Sequence, residues 1–152
     1  MSSTPLDIVI VGAGIGGLAA AVSCRRAGHN VAIYERSPMN SEVGAAIHVG
    51  PNGSRGLLAW GLDPVRARFV TTKRSYKARG DTLEKFYESD ESYIPWKFGS
   101  PWFLAHRVDL HEELKRLATE AEGEGKPAEL HLNSAVKSYV CNYKINDWHN
   151  HA

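Results

Sequence analysis

Cysteine is scarce in this 152-residue chain: only Cys24 and Cys141 occur, far apart and in no metal-binding or redox spacing. They read as reduced thiols of an intracellular protein. Excess charge of either sign is also missing, with 18 basic against 17 acidic residues and a net charge of +1. That balance lacks the electrostatic footprint of a nucleic-acid or anionic-membrane binder, so neither partner is expected. The seven histidines are scattered. His149 and His151 sit close together near the end, but nothing around them completes a ligand set, and no metal site is expected.

Long uninterrupted hydrophobic runs are lacking too. The most apolar stretch, Leu6 to Val22, carries Asp7 and four glycines between Gly12 and Gly17, whereas a membrane helix needs about 20 predominantly apolar residues. No basic segment precedes Leu6, as a secretory signal requires. No membrane segment and a cytoplasmic location are therefore expected. Internal repeats and low-complexity segments are absent, and no feature specifies an oligomeric state. What remains is an ordinary globular composition, 43% hydrophobic and 23% charged, at about the length of one domain.

Ile8-Val9-Ile10-Val11 is a short β-branched run, as expected of a parallel strand buried on both faces. A glycine-rich turn follows, then a helix to about Ala27, with Gly28 as its stop. Val31-Ala32-Ile33-Tyr34 forms a second strand ending at Glu35. After a loop, Ser37 to Val43, comes Gly44-Ala45-Ala46-Ile47-His48-Val49-Gly50. Pro51 is suited to open a helix to Trp60, stopped by Gly61. Two strand-like runs between Phe69 and Tyr87 flank Gly80-Asp81 and read as a β-hairpin. Ser89 to Ser100 reads as a loop, and Phe103-Leu104-Ala105 as a short strand. Asp109 and Glu112 have capping-box spacing ahead of a helix carrying Leu110, Leu114, Leu117, Ala118 and Ala121. Glu129 to Ser134 alternates like a strand.

Gly12, Gly14 and Gly17 satisfy G-x-G-x-x-G, and each has a physical task. Gly12 permits the tight turn out of the strand. Gly14, lacking a Cβ, lets a pyrophosphate approach the backbone. Gly17 allows the helix to pack closely on the strand. The exposed N–H groups and the positive helix end then face the phosphates. Alone the pattern is weak, but here it follows a strand, opens a helix and is followed by an acid, Glu35, 18 residues beyond Gly17. The Glu35 carboxylate is placed to accept both hydroxyls of an adenosine ribose and to repel a 2′-phosphate. The unit therefore reads as a Rossmann-like, dinucleotide-binding α/β fold with a parallel sheet. It does not by itself distinguish FAD from NAD.

With the segments Val11 to Leu18, Tyr34-Glu35-Arg36, Gly44-Ala45-Ala46-Ile47 with Pro51-Asn52, and His106-Arg107-Val108-Asp109-Leu110, the sequence resembles the FAD-dependent aromatic-ring monooxygenases of the salicylate-hydroxylase type. The resemblance runs from about Leu6 to Tyr139. It implies an FAD-binding domain over 1–139 with an inserted β-hairpin near 69–88, and a cofactor held by Gly12, Ala13, Gly14, Gly17, Glu35, Arg36, Ala46, Arg107 and Val136. In that arrangement Glu35 and Arg36 lie at the adenosine end and Val136 packs near the adenine. The Gly44 to Ile47 loop, with Ala46, runs beside the flavin, and Arg107 meets the ribityl–pyrophosphate stretch, where a guanidinium bonds phosphate oxygens in a fork. His48 and His106 read as packing or surface residues, and Trp96 and Trp102 as either cavity-lining or core.

The resemblance also implies the reaction: NAD(P)H reduces the flavin, which with O2 hydroxylates a small aromatic or related organic substrate. No residue is singled out as catalytic. Family members are considerably longer, and residues 140–152 resemble nothing in them, so a truncated form with little activity alone is expected. The codons of Val140-Cys141, of the form GTN-TGY, can spell a splice donor, which a translated intron would explain; a genuine short product is the alternative. Two other readings stay open, an NAD-dependent dehydrogenase and a non-catalytic nucleotide-binding fragment.

Overall fold

A computed structural model describes residues 4–39 and 44–140. Its first elements are β1 (Asp7–Val11), α1 (Ile15–Arg26) and β2 (Asn30–Tyr34). β1 and β2 pair in parallel, Ile8 against Val31 and Ile10 against Ile33. The turn into β2 uses Gly28 at φ +88°, the left-handed conformation that ends a helix at no Cβ cost. A late strand, β8 (Glu129–His131), adds in parallel to the other edge of β2, giving the order β1-β2-β8. This is the expected α/β arrangement with a parallel sheet.

A second sheet was not legible in the sequence. β3 (Ala46–Val49) and β4 (Val70–Thr71) both pair antiparallel with β7 (Phe103–His106). The segment expected as a loop beside a flavin is thus partly an edge strand, with Ala46 opposite His106. Its lack of a clean hydrophobic alternation hid it. α2 (Pro51–Ala59) begins with Pro51 and ends ahead of Gly61 at φ +89°, as its punctuation predicts.

The hairpin is present as β5 (Arg74–Ala78) and β6 (Lys85–Asp90), a narrower span than residues 69–88 at its start. Val70 and Thr71 are drawn into the second sheet instead. The turn is also longer than a Gly80-Asp81 connection, and Leu83 rather than a glycine takes φ +58°. Residues 89–100 are not all loop. β6 runs to Asp90, and a short helix, α3 (Ile94–Phe98), ends at Gly99 in the left-handed conformation.

α4 (Arg107–Thr119) corrects another expectation. The helix starts two residues before Asp109, with His106 as N-cap and no side-chain cap. Asp109 is therefore inside the first turn, where it pairs with Arg68 instead of closing a capping box. Leu18, Val22, Ile33, Leu114 and Phe103 are buried in one continuous core between α1, α4 and the two sheets. β1 is covered on one face only. Val9 and Val11 are 63% and 66% exposed, because α1 packs on the alternate face and no described element covers the other. Among the described residues no helix is long and apolar enough to cross a membrane.

Candidate functional site

The glycine turn lies at the C-terminal end of β1 and opens α1. Gly12 leaves the strand at φ +98°, a conformation that strains any side chain, and its N–H donates to the Tyr34 carbonyl at 2.8 Å. Gly17 packs helix on strand as its spacing predicts, since a Cβ there would penetrate the Gly12 carbonyl and press on Ile10. Gly14 differs. It is the N-cap of α1, its φ of −69° suits any residue, and a Cβ on it would meet nothing within 4 Å. Its lack of a side chain is not demanded by the protein's own packing. The first N–H groups of α1 have no intrahelical acceptor, and no acidic residue occupies the first turn. The space before them suits an anion.

Glu35 follows β2 and turns its carboxylate back to this turn. Oε2 accepts the Ala13 N–H and Oε1 the Ser37 N–H, both at 2.8 Å. These two bonds, from Ala13 first and Ser37 second, hold the carboxyl below its ordinary pKa, so it is ionised at neutral pH. A carboxylate has about four lone-pair sites, and beyond these bonds and the Ser37 hydroxyl it keeps acceptor capacity for outside donors. The backbone of Glu35 is anchored as well: its N–H donates to His131, and its carbonyl accepts from Ser134.

That last bond explains how Val136 reaches the site. Beyond β8 the chain crosses over Glu35, and a cleft of about 230 Å³ forms between Val11, Gly12, Tyr34, Glu35, Arg36, Ser134, Ala135 and Val136. Four of the expected residues, Gly12, Glu35, Arg36 and Val136, therefore meet in one place. Ala13 does not line this cleft. It is 1% exposed, with its N–H taken by Glu35 and its carbonyl by the His111 imidazole at 2.7 Å.

Arg107 and Ala46 form a second group. Arg107 opens α4 and its N–H donates to the Ala45 carbonyl at 3.0 Å, which fixes it beside β3. Contacts at both ends of α1 show that α1 and α4 run side by side in one direction. His111, in the second turn of α4, meets Ala13 just ahead of α1, while Arg25, in the last turn of α1, donates to the carbonyls of Leu117 and Ala118. Both helix N-termini, and hence Arg107 and Gly14, point toward the same edge of the molecule. His111 was missed in the sequence because it sits at core spacing with Leu110 and Leu114. Its 98-residue separation from Ala13 leaves no local signal.

The remaining candidates fall outside the cleft. His48 is exposed and packs edge-on to Trp102, and His106 is exposed with its ring against Gly44. Trp96 is not part of the core, being 88% exposed. Trp102 lines a separate, mostly apolar groove with Pro51, Tyr93, Ile94 and Phe98. Cys24 is a free thiol, half-buried; Cys141, His149 and His151 lie outside the described residues. Among the described residues, no group of three His, Cys, Asp or Glu is placed to hold a metal.

Comparison with known proteins gives one family match, the model described as FAD dependent oxidoreductase, over residues 7–144. The chain is 48% identical to FAD-dependent monooxygenase cfoG of Aspergillus candidus, a match covering 91% of this chain and 32% of that protein. It is 41% identical to hispidin-3-hydroxylase of Neonothopanus nambi, over 86% of this chain and 31% of that one. Among solved structures, HpxO of Klebsiella pneumoniae complexed with FAD and uric acid aligns at a TM-score of 0.67 and 22% identity, covering 88% of this chain and 32% of that chain. That identity speaks to the fold alone. The chain spans about a third of the length of the curated relatives it matches.

Proposed function

Because the chain belongs to the FAD dependent oxidoreductase family, we propose that the cleft at Glu35 and the adjoining glycine turn bind FAD, and that this site serves an FAD-dependent monooxygenase. One observation carries the binding assignment. An ionised carboxylate with spare acceptor capacity faces a cleft beside a turn whose Gly12 and Gly14 leave open the space a Cβ would fill. That combination fits a ribose next to a pyrophosphate.

The proposal gives each residue a part. Glu35 accepts the adenosine ribose hydroxyls, while Arg36 and Val136 flank the adenine end of the cleft. Gly12 and Gly14, with the first N–H groups of α1, receive the pyrophosphate. Gly17 keeps α1 close to β1, and Ala13 acts through its backbone within the turn. Arg107 and Ala46, at the same edge of the molecule, lie toward the ribityl and flavin portion. When bound, FAD supplies electron transfer and oxygen activation, with NAD(P)H as reductant and a small organic molecule, aromatic or related, as substrate. The family match leaves the NAD-dependent dehydrogenase reading without support.

Reconstitution tests the proposal. The purified chain, incubated with FAD and freed of excess by gel filtration, is expected to keep a yellow chromophore. Glu35→Ala is expected to weaken FAD binding by about 1.5–3 kcal/mol, the value of a hydrogen bond to a charged acceptor. A colourless wild-type protein, or an unchanged affinity in the variant, overturns the assignment.

A further inference from the structure

We propose that His111 is a positioning residue of the phosphate-facing turn, aiming the Gly14 N–H outward through its hold on the Ala13 carbonyl. The inference rests on the nucleotide reading of the turn and adds to it a residue some hundred positions away in sequence.

His111 is 1% exposed on the face of α4 that otherwise carries Leu110, Leu114, Leu117 and Ala118. Its Nε2 lies 2.7 Å from the Ala13 carbonyl oxygen. A carbonyl only accepts, so Nε2 carries the proton and Nδ1 is left as an acceptor. Nδ1 is buried and has no hydrogen-bond partner among the described residues, which is a costly state for a polar atom. A leucine would complete the apolar face without that cost. What leucine lacks is a donor for Ala13.

The consequence for the turn comes from peptide geometry. Across a planar trans peptide the carbonyl and the following N–H point in opposite directions. With the Ala13 carbonyl drawn inward to His111, the Gly14 N–H is turned away from α4. The preceding peptide is held independently, its Ala13 N–H donating to Glu35. Two successive peptide planes are thus pinned, one by Glu35 just after β2 and one by His111 of α4, before any ligand arrives. A donor fixed in advance avoids the ordering cost of binding.

Two substitutions separate positioning from packing. His111→Gln retains an N–H at the position of Nε2, and His111→Leu removes it while keeping the site apolar. With ADP as the probe in calorimetric titration, the Leu variant is expected to bind about tenfold more weakly and the Gln variant within about threefold of wild type, the scale of one lost hydrogen bond at a buried acceptor. In 15N spectra of the ligand-free chain, the Gly14 amide is expected to shift in the Leu variant and hold its place in the Gln variant. The wild-type imidazole is expected as the Nε2–H tautomer.

Wild-type ADP affinity in His111→Leu overturns the proposal, as does an Nδ1–H tautomer. Should His111→Leu fail to fold, the Gln variant and the tautomer decide. A wild-type chain that binds neither ADP nor FAD refutes the nucleotide reading itself. The Gly14 amide shifts then still report whether His111 sets the turn.

Discussion

Three glycines of one motif carry different physical demands, and substitution separates them. At Gly17 a Cβ would run into the Gly12 carbonyl, a backbone atom that has no side-chain freedom to move aside. Gly17→Ala is therefore expected to cost about 1–3 kcal/mol of stability, the usual scale of overpacking, read from denaturant melts. Gly14→Ala has room for its methyl group and an ordinary φ of −69°. It is expected to change stability by less than about 0.5 kcal/mol and yet weaken FAD binding strongly, since in the proposed site the methyl group fills the path of the pyrophosphate. Equal loss of stability in both variants would show that Gly14, too, is a packing glycine. The G-x-G-x-x-G pattern is readable from spacing alone. Which glycine serves the fold and which the ligand depends on the distances around each Cβ.

Among the elements, the pairing of α1 with α4 matters most to the site. Its far end is held by Arg25, which is 1% exposed and donates to the carbonyls of Leu117, Ala118, Glu120 and Gly125. The last carbonyls of a helix have no intrahelical donor, and here a side chain from another helix supplies one. No local sequence signal marks Arg25, because its partners lie 92 to 100 positions away. Arg25→Leu is expected to cost about 3 kcal/mol, the loss of several charge-assisted bonds at buried acceptors, and to lower the melting temperature by roughly 10 °C in a chain of this size. Calorimetry checks this. A melting temperature unchanged within experimental scatter would mean that α4 ends equally well without the guanidinium.

The whole molecule's response to acid should centre on Glu113. Burial alone would raise its pKa, but Arg66 and Arg116 outweigh that penalty and hold the carboxyl at about 2. Arg66 forks onto both oxygens at 3.0 and 2.7 Å, and Arg116 does so at 3.2 and 3.0 Å. The pair joins α4 to the segment leading into β4. A folded pKa below the ordinary 4.5 means that this stability is present in full above about pH 4.5 and is lost as pH falls toward 2. At 1.36 kcal/mol per pKa unit the contribution is about 3 kcal/mol. Denaturant melts between pH 7 and 2 are expected to fall by that amount in the acid limb, and Glu113→Gln to remove it. An unaltered acid limb in the variant would assign the acid sensitivity elsewhere.

The unit from β1 through the turn and α1 to β2 was legible in the sequence, Glu35 included. Its signals are local: a β-branched run, glycines at fixed offsets and an acid at the end of the next strand. The family resemblance was legible for the same reason, resting on short contiguous motifs. Tertiary structure alone decided that β8 lies beside β2 and carries Val136 over Glu35, that Ala46 begins an edge strand, and that Ala13 faces inward between Glu35 and His111. Each of these depends on which distant segments share a sheet edge or a helix face. Residue spacing records what is near along the chain. The back of the glycine turn is built by contacts 22 and 98 residues apart.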